Sequence, residues 1–239
     1  MIYHDKHKEV SSYMPDTNSD SNKKRLALLR KEKPRTIIVG RKTGRKYAPQ
    51  GHFQRDLSIA RETEYQMAHL LRQILDDREN GIICSFEGQC STSDWDFSMG
   101  YRNMAISKKQ GIRFNVEVKE NQKCHHTGNV GLEFMCSGKP SGIETTKADF
   151  YVYHIHTPET QEISLLLSVK DLKTAIQNKR YKYIRPTVRD GEDRPAHNYI
   201  FGLPVFKNIA VCELNMDNLE NIICVRNYFN ELAKKHLGA

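Results

Sequence analysis

The stretch RFNVEVKEN, Arg113 to Asn121, decides how the rest of the chain is read. Phe114, Val116 and Val118 alternate with Asn115, Glu117 and Lys119, and this period of two marks a strand with one apolar and one polar face. A carboxylate and an ammonium two residues apart on a strand project from the same face, so Glu117 and Lys119 are neighbours. A solvated strand face has the same pattern. What lies on either side therefore decides between the two readings.

On the N-terminal side, DLSIARETEYQMAHLLRQILDD from Asp56 sets Ile59, Tyr65, Met67, Ala68, Leu70, Leu71, Ile74 and Leu75 at mainly helical spacing, which predicts a helix of about five turns. After a turn at Asn80 and Gly81, GIICSFEG predicts a strand, and STSDWDFSMG a second extended segment ended by Gly100. On the C-terminal side NVGLEFMC, ADFYVYHIH and EISLLL are further strands. The last feeds a helix near Ser168 to Asn178 with Ser168 as its N-cap. YKYIRPTVRDGEDRPAHNY is polar and turn-rich and is read as a loop. FKNIAVCEL has the pattern of a strand, and MDNLENIICVRNYFNELAKKHL that of an amphipathic closing helix. The layout is α/β, a mixed central β-sheet flanked by helices.

A chain of 239 residues with a formal net charge of +8 can bury a core and suits a polyanionic partner. Much of the charge is concentrated in KKRLALLRKEKPRTIIVGRKTGRK, Lys23 to Lys46, where eleven Lys or Arg residues face the single acid Glu32. A solvated basic face and a DNA-contacting arm account for this run equally well, and Lys42, Arg45 and Lys46 are its candidate contacts. A short helix through KKRLALLRK, ended by Pro34, and a brief strand at RTIIVG are expected there. Residues 1 to about 22 lack hydrophobic periodicity and read as a disordered tail. The division expected is a flexible basic arm over 1–50 and one domain over 51–239 that ends in the closing helix. No apolar run approaches the roughly 20 residues that cross a bilayer, and the N-terminus has no apolar signal-peptide core, so no membrane partner and an intracellular location are expected. The six cysteines form no CxxC pair. A zinc site from Cys124, His125, His126 and Cys136 is disfavoured, because adjacent residues on an extended chain point to opposite faces.

A divalent ion such as Mg²⁺ takes oxygen ligands, typically one or two carboxylates with carbonyl, water and phosphate oxygens. Glu117 supplies one carboxylate, and the carbonyl of Val118 can point into the same corner. Lys119 is then placed to position and help activate a water that attacks phosphorus. SDWDF supplies a second carboxylate from Asp94 or Asp96, at a distance from Glu117 that fits a strand, a turn and a return strand. The continuation Phe97 and Met99 suits a strand that enters the core and favours Asp96.

This order, an acid-bearing helix, an aspartate and then Glu-x-Lys some twenty residues later, resembles the PD-(D/E)xK nuclease superfamily. The segment VEVKENQKCHHTGNVGLEFMCSGKPSGIETTKADFYVY, Val116 to Tyr153, is similar to its phage-type, Holliday-junction-resolvase-like members: a TGN turn, a strand bearing a glutamate, an SGI-x-TT-x-AD turn and an aromatic strand. The resemblance spans about residues 57 to 215. The family's proline before the aspartate is absent, with Trp95 preceding Asp96 and Ser93 preceding Asp94.

The resemblance implies a restriction-endonuclease-like core and a Mg²⁺- or Mn²⁺-dependent endonuclease or junction nuclease acting on DNA, of phage or viral origin and working inside a host cell. It implies Asp96 and Glu117 as metal ligands with Asp94 as the rival aspartate, Lys119 as the catalytic ammonium, and Glu64 or Glu62 completing the shell. Thr145, Thr146 and Lys147 of the SGI-x-TT turn are candidate phosphate contacts, and Glu133 a candidate for a structural salt bridge. Many junction- and duplex-cutting members need two active sites, which makes a homodimer a possible assembly. The rival reading is a non-catalytic nucleic-acid-binding protein of a replication or packaging assembly, and an RNA-directed nuclease is a weaker third.

Overall fold

The alternation of Arg113 to Asn121 becomes an inner strand of a six-stranded sheet. A computed structural model of the protein describes residues 38–39, 46–47, 50–89, 94–121, 124–157, 161–187 and 195–238, with side chains from Ala60 onward. The chain first forms the two-residue pair β1 (Ile38–Val39) and β2 (Lys46–Tyr47), then helix α1 (Gln50–Leu75) and the meander β3 (Ile82–Gln89), β4 (Phe97–Asn103) and β5 (Ile112–Asn121). The turn α2 (Cys124–Thr127), β6 (Asn129–Cys136) and β7 (Lys139–Pro140) lead to β8 (Phe150–His156), β9 (Glu162–Ser168) and α3 (Val169–Gln177). β10 (Tyr183–Thr187), β11 (Ala196–Gly202), α4 (Leu203–Ile209), β12 (Cys212–Glu213) and α5 (Leu219–Leu237) complete the described chain. Residues Ile37–Ala239 make one compact unit.

The large sheet has the order β12-β9-β8-β5-β4-β3 and is antiparallel except between β5 and β8. A parallel pair needs a long crossover, and the crossover here carries β6 and β7 into a second, antiparallel sheet of order β10-β11-β6-β7. One face of the large sheet is covered by α1 and α5. Met67, Ala68, Leu71, Ile74 and Leu75 form the buried stripe of α1 at one-face helical spacing. They share a core with Phe97, Met99, Phe114, Val116, Phe150 and Phe229. The rings of Phe114 and Phe229 lie 4.6 Å apart, and those of Phe150 and Phe229 5.2 Å apart. Arg226 of α5 donates through Nε to the Ile74 carbonyl at 2.7 Å and through Nη1 to Asp77 Oδ2 at 2.6 Å, so it satisfies carbonyl and charge at the C-terminal end of α1. The opposite face, with Tyr151, Tyr153, Leu165 and Leu167, packs on Val130, Leu132 and Phe201 of the second sheet and on α3 and α4.

The expected helix, the strands of the meander, β6, β8, β9, the helix capped by Ser168 and the closing helix all form. Ser168 Oγ accepts the Asp171 N–H as N-cap. Three expectations are corrected. Gly100 does not end β4, which runs on to Asn103; Gly100 lies where the Glu87 side chain crosses, and a Cβ there would stand 2.3 Å from Glu87 Oε1. The polar segment 181–199 is not a loop, because it contains β10 and the start of β11. β10 is an edge strand with Tyr183 and Ile184 exposed, where polar residues and Pro186 are tolerated. FKNIAVCEL is not a single strand: Pro204 opens α4, and only Cys212–Glu213 pairs with β9. The tail to residue 22, the helix through KKRLALLRK, Lys42 and Arg45 lie outside the described residues. Lys46 is placed as backbone of β2, opposite Val39.

Candidate active site

The meander brings the aspartates to the glutamate. β4 and β5 pair antiparallel with Phe97 opposite Val116, so the residues just before β4 meet those just after Val116. Both aspartates precede β4 rather than lying in it: Asp94 is in a turn and Asp96 in a bend. The Asp96 N–H donates to the Val116 carbonyl at 2.9 Å. Its Oδ2 accepts the Val118 N–H at 2.6 Å, so the side chain continues the ladder where the β4 backbone leaves it. A strand residue directs its N–H and carbonyl to the same edge, so the Val118 carbonyl faces the corner that Asp96 occupies.

Glu117 is buried, 8% exposed, on the face of β5 opposite the α1 core. Lys119 Nζ contacts its Oε1 at 2.5 Å, and the Thr146 hydroxyl donates to its Oε2 at 2.9 Å. The lysine side chain is 42% exposed and presents its ammonium at the rim. Thr146 is held in turn by the Ala148 N–H, donated to Oγ1 at 3.1 Å. The turn that delivers Thr146 needs Gly142: its φ is +51°, and a Cβ would stand 2.3 Å from the Glu133 carbonyl oxygen. Beneath Glu117, the fully buried Tyr151 hydroxyl has no partner in hydrogen-bonding geometry. Burial, with the Glu117 charge beside it, pushes that phenol well above its ordinary range.

Three carboxylates and one ammonium share this electrostatic neighbourhood. Burial raises the Asp96 carboxyl above its ordinary value, and the Val118 N–H and Lys119 pull it back while Glu117 adds to the rise. Glu64 of α1, partly buried, is raised by burial first and by the Asp96 charge second, with Arg61 and Lys119 opposing. Charges perturbed jointly by burial and by one another are a mark of functional sites.

The two aspartates part company here. Asp94 Oδ2 pairs with Lys147 Nζ at 3.0 Å, and its carbonyl accepts the Lys147 N–H at 3.2 Å, so it fastens the SGI-x-TT turn to the start of β4. Of the phosphate candidates, Thr146 is engaged with Glu117, Lys147 with Asp94, and Thr145 Oγ1 lies 3.5 Å from the Gly142 carbonyl within its own turn. Glu133 Oε1 accepts from Ser141 Oγ at 2.9 Å, a hydrogen bond where a salt bridge was expected. Glu62 lies in α1 two residues beyond Ala60, the first described side chain, and among the described residues no recorded hydrogen bond or ion pair ties it to Asp96 or Glu117. The disfavoured zinc quartet of Cys124, His125, His126 and Cys136 does not assemble: among the described residues, only His154, His156 and Glu162 bring three potential ligand atoms within 4.8 Å of one another. Nothing in the sequence marks those histidines for function. Thr146 is expected at a phosphate and meets Glu117 instead, since a hydroxyl carries no sign of which carboxylate it will meet.

Compared with family models, with curated proteins and with solved structures, the chain matches none of them.

Proposed function

We propose that the protein is a metal-dependent deoxyribonuclease of the PD-(D/E)xK type, with Asp96, Glu117, Lys119 and Glu64 as its working residues. One observation carries the reading: Asp96, anchored on the Val118 N–H, stands beside the Glu117–Lys119 ion pair where the chain enters β4. The donors of that corner, two carboxylates and the Val118 carbonyl, are all oxygen, which suits Mg²⁺ or Mn²⁺ rather than a thiolate- or imidazole-loving ion. Such an ion supplies polarisation of the phosphate and a lowered pKa for water.

The chain's own part is positional and electrostatic. Asp96 and Glu117 hold the cation in a partly buried setting where charge interactions are strong. Lys119, tethered to Glu117 Oε1, faces solvent and is placed to orient the attacking water and to offset charge that develops on phosphorus. Thr146 keeps Glu117 from rotating, and Glu64 adds a third negative charge from the helix side. The basic segment Lys23 to Lys46 supplies sequence-independent affinity through phosphate contacts.

The test is incubation of supercoiled, linear, single-stranded and four-way-junction DNA with Mg²⁺, Mn²⁺ or chelator, alongside Glu117→Gln and Lys119→Ala. Metal-dependent cleavage lost in both variants is expected; cleavage unchanged in both overturns the assignment. A non-catalytic nucleic-acid-binding role draws on a different observation, that both Glu117 oxygens are already engaged by Lys119 and Thr146. It predicts salt-sensitive DNA binding that is indifferent to metal, with no cleavage.

A further inference from the structure

On the other face of β5, nearer the C-terminal ends of the strands, lies a second polar cluster that the nuclease reading does not use. His154 and His156 are two apart on β8 and share a face. Glu162 of β9 stands in register with His156, and Glu120 of β5 in register with His154.

Polar partners hold both imidazoles in place. Ser164 Oγ lies 3.0 Å from His154 Nδ1 and 3.3 Å from Met67 Sδ. His154 Nε2 lies 3.7 Å from Glu162 Oε2. Glu120 Oε1 lies 3.2 Å from His156 Nε2, and a carboxylate only accepts, so that nitrogen carries a hydrogen. His156 Nδ1 faces Glu162 Oε1, 3.5 Å away. Two imidazole nitrogens and a carboxylate thus face one another with their ligand atoms within 4.8 Å, and the far nitrogen of each imidazole is held by Ser164 or Glu120. That is the arrangement by which proteins orient metal-binding histidines. At metal–ligand distances near 2.0–2.1 Å, tetrahedral ligand atoms sit about 3.4 Å apart, and the two nitrogen–carboxylate contacts at 3.5 and 3.7 Å are close to that edge length.

We propose that His154 Nε2, His156 Nδ1 and the Glu162 carboxylate form a binding site for a divalent transition ion of the zinc class, with Ser164 and Glu120 as the groups that orient the histidines. The mixed nitrogen and oxygen donors set it apart from the all-oxygen corner at Asp96 and Glu117. Bound there, the ion ties β8 to β9 directly and to β5 through Glu120, and it stabilises the folded chain by mass action.

The experiment uses full-length, untagged protein stripped with EDTA, in the Asp96→Asn/Glu117→Gln background so that the acidic corner does not compete. ZnCl₂ is added and followed by calorimetry and by thermal unfolding. One equivalent of Zn²⁺ and a higher Tm are expected, with neither seen for MgCl₂ at the same concentration. His154→Ala/His156→Ala is expected to lose both, and so is the conservative Glu162→Gln, whose fold is checked by circular dichroism. Glu120→Gln is expected to weaken binding about tenfold to a hundredfold. Zn²⁺ binding of the same stoichiometry and affinity in Glu162→Gln and in the histidine variant overturns the site, as does the absence of binding in the background protein.

Discussion

Asp96 Oδ2 accepts the Val118 backbone N–H at 2.6 Å, so the strand that carries Glu117 and Lys119 also sets the position of the aspartate. The acid and the strand move as one body, and Asp94, held by Lys147, belongs to a different contact. Asp96→Asn is therefore expected to keep the fold, since an amide oxygen can still accept from Val118, and to lower metal-dependent cleavage by at least about a hundredfold. Asp94→Asn is expected to leave it within a few-fold. Single-turnover cleavage of both variants checks this, and an equal loss in the two would reverse the choice of aspartate.

The metal-free protein should be strained by its own carboxylates. Asp96 and Glu64 are raised above their ordinary values of 3.8 and 4.5, so the folded chain keeps protons that the unfolded chain would release. Their contribution is full below the ordinary carboxylate range and is lost as pH rises through the raised values. In chelator at neutral pH, Asp96→Asn and Glu64→Gln should each raise Tm, by ~2–4 °C for each ~1 kcal/mol relieved. The gain should vanish at pH below 4. Thermal unfolding from pH 3.5 to 8 measures it, and a gain that persists at the acid end would contradict the assigned cause.

Thr146 acts through Glu117. Its hydroxyl fixes Oε2, so Thr146→Ala should weaken metal affinity about tenfold or more while Thr146→Ser restores it. Cleavage by Thr146→Ala should recover at high metal concentration. A loss that no amount of metal restores would give Thr146 a direct part in the chemistry instead.

Gly142→Ala forces a side chain into a left-handed residue and against the Glu133 carbonyl, which should cost roughly 1–3 kcal/mol. Because the same turn carries Thr146, the variant should lose metal affinity along with stability. Phe229→Ala, by contrast, opens the aromatic core under α5 at a cost of about 3–5 kcal/mol and should leave metal affinity of the folded fraction unchanged. Denaturant unfolding paired with metal titration separates the two.

Much of the sheet was legible because its strands alternate cleanly and its helices repeat at 3.6. Phe97, Met99, Phe114, Val116, Phe150 and Val152 all point where their spacing says. In the second sheet only β6 was legible. β10 sits at an edge, where solvent rather than packing chooses the residues, and its polarity and Pro186 read as loop. α4 was misread because a short apolar run fits helix and strand alike, and the proline that begins it was the signal to heed. At the site, the same-face pair Glu117 and Lys119 followed from the period of two. That Asp96 meets Val118, and Asp94 meets Lys147, depends on how the chain turns before β4. The partners of Thr146 and His154 depend on contacts across 29 and 10 residues, which no local pattern records.

The one parallel pairing in the large sheet also sets an order of events. β3, β4 and β5 are joined by short connections and close early at little entropic cost, which brings Asp96 to Glu117 before the crossover is in place. β8 docks only after residues 122–149 have looped out and back, and the Thr146 hydroxyl arrives with them. In a meander that closes first, Asp96 and Glu117 meet with only Lys119 beside them; on the proposed metal-dependent reading, Mg²⁺ in the refolding buffer is expected to speed refolding as well as raise the final stability, which refolding with and without the ion checks.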